Sequence, residues 1–477
     1  MTIRRSISYL FATMVLMAIG KAQPRDGSLI PPDSEIRGIL RQRVDEFHQS
    51  VGIVVGLIGP DGRKVVSYGA LEKGDPRVLN GDTVFEIGSV TKVFTSLLLS
   101  DMVQRGQVAL ADPVSKYLPA SVRMPQRNGR QITLLDLATH TSGLPRLPAN
   151  LKPKDSANPY GDYSVAQLYE FLSSYELPRD IGSQYEYSNL GGGLLGHVLT
   201  LRAGMDYEAL VGARITAPLD MKSTGVALTP EMKARMAAGH DDKLKPVANW
   251  DLPTLAGAGA LRSTANDMLT FLAANLGYQK TPLAPAMAAM LDVRRPSGRP
   301  GLEVALAWHI YSTPLYSIPP GSTVIWHNGG TGGYRSFIGY DPKTRIGVVV
   351  LANAETAAGV DDIGLHLLNP KAPLLNASAF LPAKERKQVA VDPKLFDRYA
   401  GRYQLAPNFV LTITREGERL FAQATGQPKF ELFAEGEKEY FLKAVDAQIT
   451  FEVDAGGAVN QLVLHQGGQN VPAKRID

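Results

Sequence analysis

Two apolar hairpin patterns stand far apart in this chain, and together they limit what it can fold into. "VGIVVGLIGPDGRKVVSYGAL" (51–71) reads as two strands joined at "GPDG". "SFIGYDPKTRIGVVVLANA" (336–354) repeats the arrangement around "DPKT", with a very apolar second strand. Between them lie residues 72–335, about 260 positions that are mostly helical or loop-like in pattern. Strands at both ends of a long helical insert predict one antiparallel sheet built from the two ends, with helices on its faces.

Beyond residue 393 the pattern changes. "FVLTITREGERLFAQATG" (409–426) is two strands about an "EGER" turn, and short strands with Gly and Asp turns continue to the end. Regular short strands point to a small barrel or sandwich. The expected class is therefore α/β in the α+β sense: an antiparallel sheet flanked by helices plus an all-helical region, then a small all-β barrel. A chain of 477 residues exceeds a single core, so two domains are expected. The expected divisions are a signal peptide (1–22), a larger domain (23–370), a linker (371–393) and the barrel (394–477). The linker reading rests on four prolines and mixed polarity in 367–393.

"MTIRRS" is followed by an apolar run at 7–20, and Gly20 and Ala22 are small residues placed for cleavage after Ala22. That pattern predicts export to the periplasm or beyond, and the run is too short for a stable membrane span. The net charge of +4 with no dense basic stretch sets nucleic acid aside. The chain has no cysteine, which excludes thiol nucleophiles and thiolate metal sites. Its eight histidines are scattered and no HExxH occurs, which argues against a metal enzyme. Oligomeric state is left open.

Chemistry concentrates in three short motifs. "FEIGSVTKVF" (85–94) holds the chain's only SxxK, Ser89 and Lys92. Val93, Phe94, Leu97, Leu98 and Met102 follow at helical spacing, and Gly106 stands where a stop belongs. Residues three apart share a helix face, so Lys92 can reach the Ser89 hydroxyl, which needs an activating partner. The helix start also offers N–H groups to a developing oxyanion. The alternative is a serine that merely caps a helix. The second motif is Tyr187-Ser188-Asn189, the only Tyr-x-Asn. A phenol near a lysine can have its pKa lowered and shuttle a proton, and an amide can bind a substrate carbonyl or amide. The third is "WHNGGTGGYRSF" (326–337), where His327 precedes Gly329 and Gly330, glycines that let backbone approach a substrate.

SxxK, then YxN, then a basic residue-x-Gly, in this order, resemble the class C β-lactamase superfamily. It includes penicillin-binding D-Ala-D-Ala carboxypeptidases, D-aminopeptidases and family VIII esterases. "ITLLDLATHTSGLP" (132–145) and "AGAGALRSTANDMLTFL" (256–272) add to the resemblance, which covers roughly residues 35 to 355. The tail looks like the lipocalin-like barrel appended to some members. The resemblance implies a Ser89 nucleophile that forms an acyl-enzyme, with Lys92 and Tyr187 sharing acid and base work. It implies that Asn189 binds the substrate amide and that His327, Gly329 and Gly330 line the substrate site. The N–H groups of Ser89 and Gly330 would form the oxyanion hole, and no cofactor is implied. The implied substrates are a β-lactam or a D-amino-acid peptide. Alternatives are a short-chain ester on the same scaffold, or a penicillin-binding protein that deacylates slowly.

The resemblance implies that His327 would stand where β-lactamases usually carry lysine. An unperturbed histidine titrates near about 6.5, so carboxylate-bearing substrates are expected to gain as pH falls through its pKa. His140 is expected to buttress a loop, His197 to be core, Arg262 to make structural hydrogen bonds, and Ser263 or Asn266 to cap the next helix. A separate possibility is that the barrel is a cup for an apolar ligand.

Overall fold

The computed structural model describes residues 30–312, 323–375, 386–406, 409–425, 429–443, 447–454, 456–466 and 469–477. The proposed signal peptide and the middle of the linker lie outside these residues.

Both hairpins form as the sequence predicts. Gly52–Gly59 pairs with Gly62–Gly69, and Arg335–Asp341 with Ile346–Ala352. The first and last of these join across the insert, with Val55 opposite Val350. The two chain ends therefore build one antiparallel sheet. It has eight strands, because Val324–Gly330, His309–Tyr311, Leu302–Val304 and Arg295–Pro296 extend its far edge. The insert is thus less helical than its pattern suggests. Strands of two or three residues are too short to show an alternation.

Strand alternation sends side chains to two separate cores. Val54, Ile58, Val349 and Leu351 face the helical mass of the insert. Ile53, Val55, Val348 and Val350 face Ile36 and Leu40 of helix Asp33–Arg41 and Ile363 and Leu367 of helix Asp361–Leu368. Burial on both faces is why these strands read as continuous apolar runs. Each such side chain contributes about 1.5–3 kcal/mol by leaving water.

Helix Thr91–Gln104 is central to the insert: every residue from Thr91 to Met102 is buried. A helix apolar all round belongs inside a large core. Its polar positions are satisfied in place. Thr95 donates to the Gly257 carbonyl at 2.8 Å and Ser100 to that of Ala286 at 2.7 Å. Phe94 stacks on Phe271 of helix Ala265–Asn275 at 4.6 Å. That second helix is capped by Thr264, whose side chain accepts from Asp267 N. Neither Ser263 nor Asn266 is the cap, because Thr264 is the residue in extended backbone immediately before the first turn.

The C-terminal part is a closed eight-stranded barrel from Gly401 to Arg475, sealed by Tyr403 opposite Arg475. Along Phe409–Glu416, Leu411 and Ile413 are buried between more exposed neighbours. Its core is occupied by rings: Tyr399 stacks on Phe451 at 4.2 Å, with Tyr403 and Tyr440 edge-on to Phe451. These aromatic side chains belong to the buried core of the barrel. The last helix of the larger part ends at Leu368.

Candidate active site

Ser89 sits in a 3-10 turn, Gly88–Val90, that leads into helix Thr91–Gln104. The turn is clamped on several sides. The preceding strand Val84–Glu86 pairs with Arg262–Thr264, and Glu86 and Arg262 form a buried ion pair at 3.4 Å. Arg262 also holds the Val226 and Trp250 carbonyls, so its role is structural as expected. Ile87 donates its N–H to the Leu261 carbonyl at 3.1 Å and accepts from Ser336 Oγ at 2.8 Å. Gly88 has φ +50 and lies flush against the end of strand Val324–Gly330: an added Cβ would stand 2.7 Å from Gly330 N. Only glycine combines that backbone sign with that approach. The Ser89 and Gly330 backbones are thereby brought together at the head of the helix.

No serine side chain caps this helix. The Ser89 hydroxyl instead meets Lys92, whose Nζ lies 3.0 Å from Ser89 Oγ. The same nitrogen is 2.9 Å from Asn189 Oδ1 and 2.7 Å from the Ala258 carbonyl oxygen. Lys92 is 2% exposed, and none of these partners is a carboxylate. Burial, then the Arg146 charge, pushes its pKa well below the ordinary lysine value. A neutral amine has two N–H bonds and one lone pair. The two N–H bonds match Asn189 and Ala258, which leaves the lone pair for the Ser89 proton.

The Tyr-x-Asn segment is held by the "THTSGLP" loop and the residue after it. Ser188 donates to the Pro145 carbonyl at 2.7 Å and caps helix Asn189–Ala203 by accepting from Gly191 N at 2.8 Å. The N–H groups of Asn189 and Leu190 donate to the Arg146 carbonyl at 3.0 and 3.2 Å. His140 Nδ1 accepts from Ser188 N at 3.2 Å, and its ring packs on Tyr187 at 4.5 Å. His140 therefore buttresses this loop, as expected. His197 is half-buried and bonds Tyr169 at 2.8 Å, away from these groups.

Tyr187 lies beside the pair, its ring centroid 4.9 Å from Lys92 Nζ. The expected lowering of its pKa does not occur. Burial pushes the phenol up to about 12, and the Ser89 side chain and the Arg146 charge only partly oppose it. Tyr187 is a neutral hydroxyl at working pH.

His327 is also corrected. It is 0% exposed, stacks on His309 at 5.1 Å and bonds the Asn328 carbonyl through Nδ1 at 2.6 Å. Burial, then the neighbouring His309 and Lys92, pushes its pKa well below 6.5, so the imidazole stays uncharged. Its Nε2 is buried without a hydrogen-bond partner. Asn328, the next residue, bonds Asp361 at 2.5 Å and so ties this strand to helix Asp361–Leu368. The structure thus brings Ser89, Lys92, Tyr187, Asn189, His327 and Gly330 into one place, with Gly329 packed so that an added Cβ would meet the Ile87 carbonyl at 2.1 Å.

Several residues here carry no sequence signal. An added Cβ at Gly192 would stand 2.9 Å from Lys92 Cε, so its missing side chain leaves room for the lysine stem. Gly196 and Gly257 meet backbone to backbone, which brings the Ala258 carbonyl to Lys92. Arg146 follows "THTSGLP" directly and lays its guanidinium over the Tyr187 ring at 5.2 Å.

A lysine-activated serine at a helix start, beside a tyrosine and an antiparallel edge, defines a serine-hydrolase type of site. Comparison with known proteins gives the same class. The Beta-lactamase family model matches residues 40–369, and a domain of unknown function, DUF3471, matches 385–474. The chain is 32% identical to the D-alanyl-D-alanine-carboxypeptidase/endopeptidase AmpH of Escherichia coli (strain K12), over 70% of this chain and 89% of that protein. It is 26% identical to Penicillin-binding protein 4* of Bacillus subtilis (strain 168), over 91% of this chain and 97% of that one, a span that reaches into the barrel. The crystal structure of a class C beta lactamase from Rhodobacter sphaeroides superposes with TM-score 0.61 at 27% identity, covering 70% of this chain and 98% of the other. The chain belongs to the beta-lactamase family. Among the described residues no helix is long and apolar enough to cross a membrane.

Proposed function

We propose that this protein is an exported serine hydrolase that opens the amide of a β-lactam or a D-amino-acid peptide through a Ser89 acyl-enzyme. The observation that carries this reading is the Lys92 amine, buried and 3.0 Å from Ser89 Oγ. Ser89 Oγ attacks the carbonyl carbon while its proton passes to the Lys92 lone pair. The oxyanion is received by the Ser89 and Gly330 N–H groups. Asn189 orients both Lys92 and the substrate amide. The proton returns through the neutral Tyr187 hydroxyl to the amide nitrogen as the C–N bond breaks; the resulting amine departs from a peptide and stays tethered to the acyl group of an opened lactam. Water then releases the acyl group by the reverse proton path. The carboxypeptidase and penicillin-binding relatives support the substrate class, and the pattern of residues 1–22 supports export.

One observation favours ester hydrolysis as a second reading. The neutral, buried His327 offers no cation where a charged substrate group would be held. Turnover of a penicillin, a D-Ala-D-Ala peptide and a short-chain ester, compared on one preparation, separates the two. Appreciable kcat/KM for a lactam or D-peptide supports the first reading; turnover confined to the ester overturns it.

A further inference from the structure

His327 leaves a question, since penicillins and D-alanyl peptides carry a free carboxylate near the scissile amide. Arg146 answers it geometrically. Its main chain is fixed: the carbonyl accepts from Asn189 N at 3.0 Å and Leu190 N at 3.2 Å. Its side chain is exposed and stands over Tyr187, 5.2 Å from ring centroid to guanidinium carbon. Lys92 Nζ sits 4.9 Å from the centroid of the same ring, so Arg146 and the reacting pair both border Tyr187. Among the described residues no carboxylate is paired with Arg146. A guanidinium stacked on a ring keeps its planar fork free for a carboxylate.

We infer that Arg146 receives the free carboxylate of the acyl donor and selects anionic substrates over their neutral counterparts. The inference rests on the proposed function and supplies its missing specificity element. The charge reaches the reacting groups, since it contributes to the shifts of Lys92, His140 and Tyr187. Arg299 is a further exposed cation, but it acts on His309 and Tyr185 rather than on the reacting pair.

The test follows Ser89 acylation by intact mass with a penicillin and with its methyl ester, in wild type, Arg146→Ala, Arg146→Lys and Arg299→Ala. Wild type should prefer the free acid, and the preference should weaken as ionic strength rises. Arg146→Ala should cut the acid-to-ester rate ratio by about 10- to 100-fold, the worth of a hydrogen bond to a charged group. Arg146→Lys should restore part of it, and Arg299→Ala should leave the ratio in place. The inference is overturned by a wild type with no preference, by an Arg146→Ala ratio equal to wild type, by equal losses for both compounds, or by an Arg299→Ala ratio that collapses. A wild type acylated by neither compound overturns the proposed function as well.

Discussion

Lys92 Nζ lies 3.0 Å from Ser89 Oγ and is bonded to two oxygens that carry no formal charge. A buried lysine without a carboxylate is held toward its neutral form, and only that form can take a proton from serine. Lys92→Arg keeps a cation that does not deprotonate at working pH. It should lower the acylation rate by about 10²- to 10⁴-fold, in step with Lys92→Ala. Stopped-flow acylation rates check this, and near-wild-type acylation by Lys92→Arg would remove Lys92 as base.

The same burial fixes a pH dependence. The folded Lys92 pKa lies below its ordinary 10.5, so between the two values the unfolded chain binds one more proton. Stability therefore rises with pH across that window and falls as pH drops through it. Lys92→Met should flatten this slope in denaturant titrations at stepped pH. An identical slope in both proteins would contradict the burial account.

His327 should impose no titration of its own on substrate choice. Its pKa is well below 6.5, so the ratio of kcat/KM for acidic and neutral substrates should show no inflection near that pH. A step near 6.5 that vanishes in His327→Gln would restore a charged role for the ring.

Tyr187 at about 12 is a proton carrier rather than a phenolate base. Tyr187→Phe keeps the ring under Arg146 and Lys92 and removes only the hydroxyl. Amide turnover should fall by about 10²- to 10⁴-fold, while an aryl ester with a stable leaving anion should lose far less. Equal losses on both would assign Tyr187 to a step before bond cleavage.

Gly192→Ala should act through geometry. Its Cβ would stand 2.9 Å from Lys92 Cε, and the amine beyond is pinned by three bonds. A displaced Lys92 should cost about 100-fold in kcat with KM little changed. Unaltered kcat would mean the lysine stem can yield without moving its nitrogen.

How much of this was legible follows from what sequence patterns encode. The hairpins at 51–71 and 336–354 and the barrel strands show alternation or turn chemistry, so they were readable. The three-residue strands Leu302–Val304 and His309–Tyr311 are too short to do so. Ser89, Lys92, Tyr187 and Asn189 were readable because helix spacing and motif order are properties of the chain. The burial of His327 and the half-buried setting of Tyr187 were not, since they depend on His309, His140 and strands packed from elsewhere. Arg146 was missed for a similar reason: an arginine after a Gly-Leu-Pro turn has no periodicity, and only the fold lays it on Tyr187.

In the proposed reaction Ser89 carries the acyl group. Incubation with a penicillin, followed by intact mass and peptide mapping, tests it most directly. One covalent adduct is expected on the peptide containing Ser89 and none in Ser89→Ala, which should also lose turnover. An adduct mapped to another residue, or undiminished hydrolysis by Ser89→Ala, would contradict it.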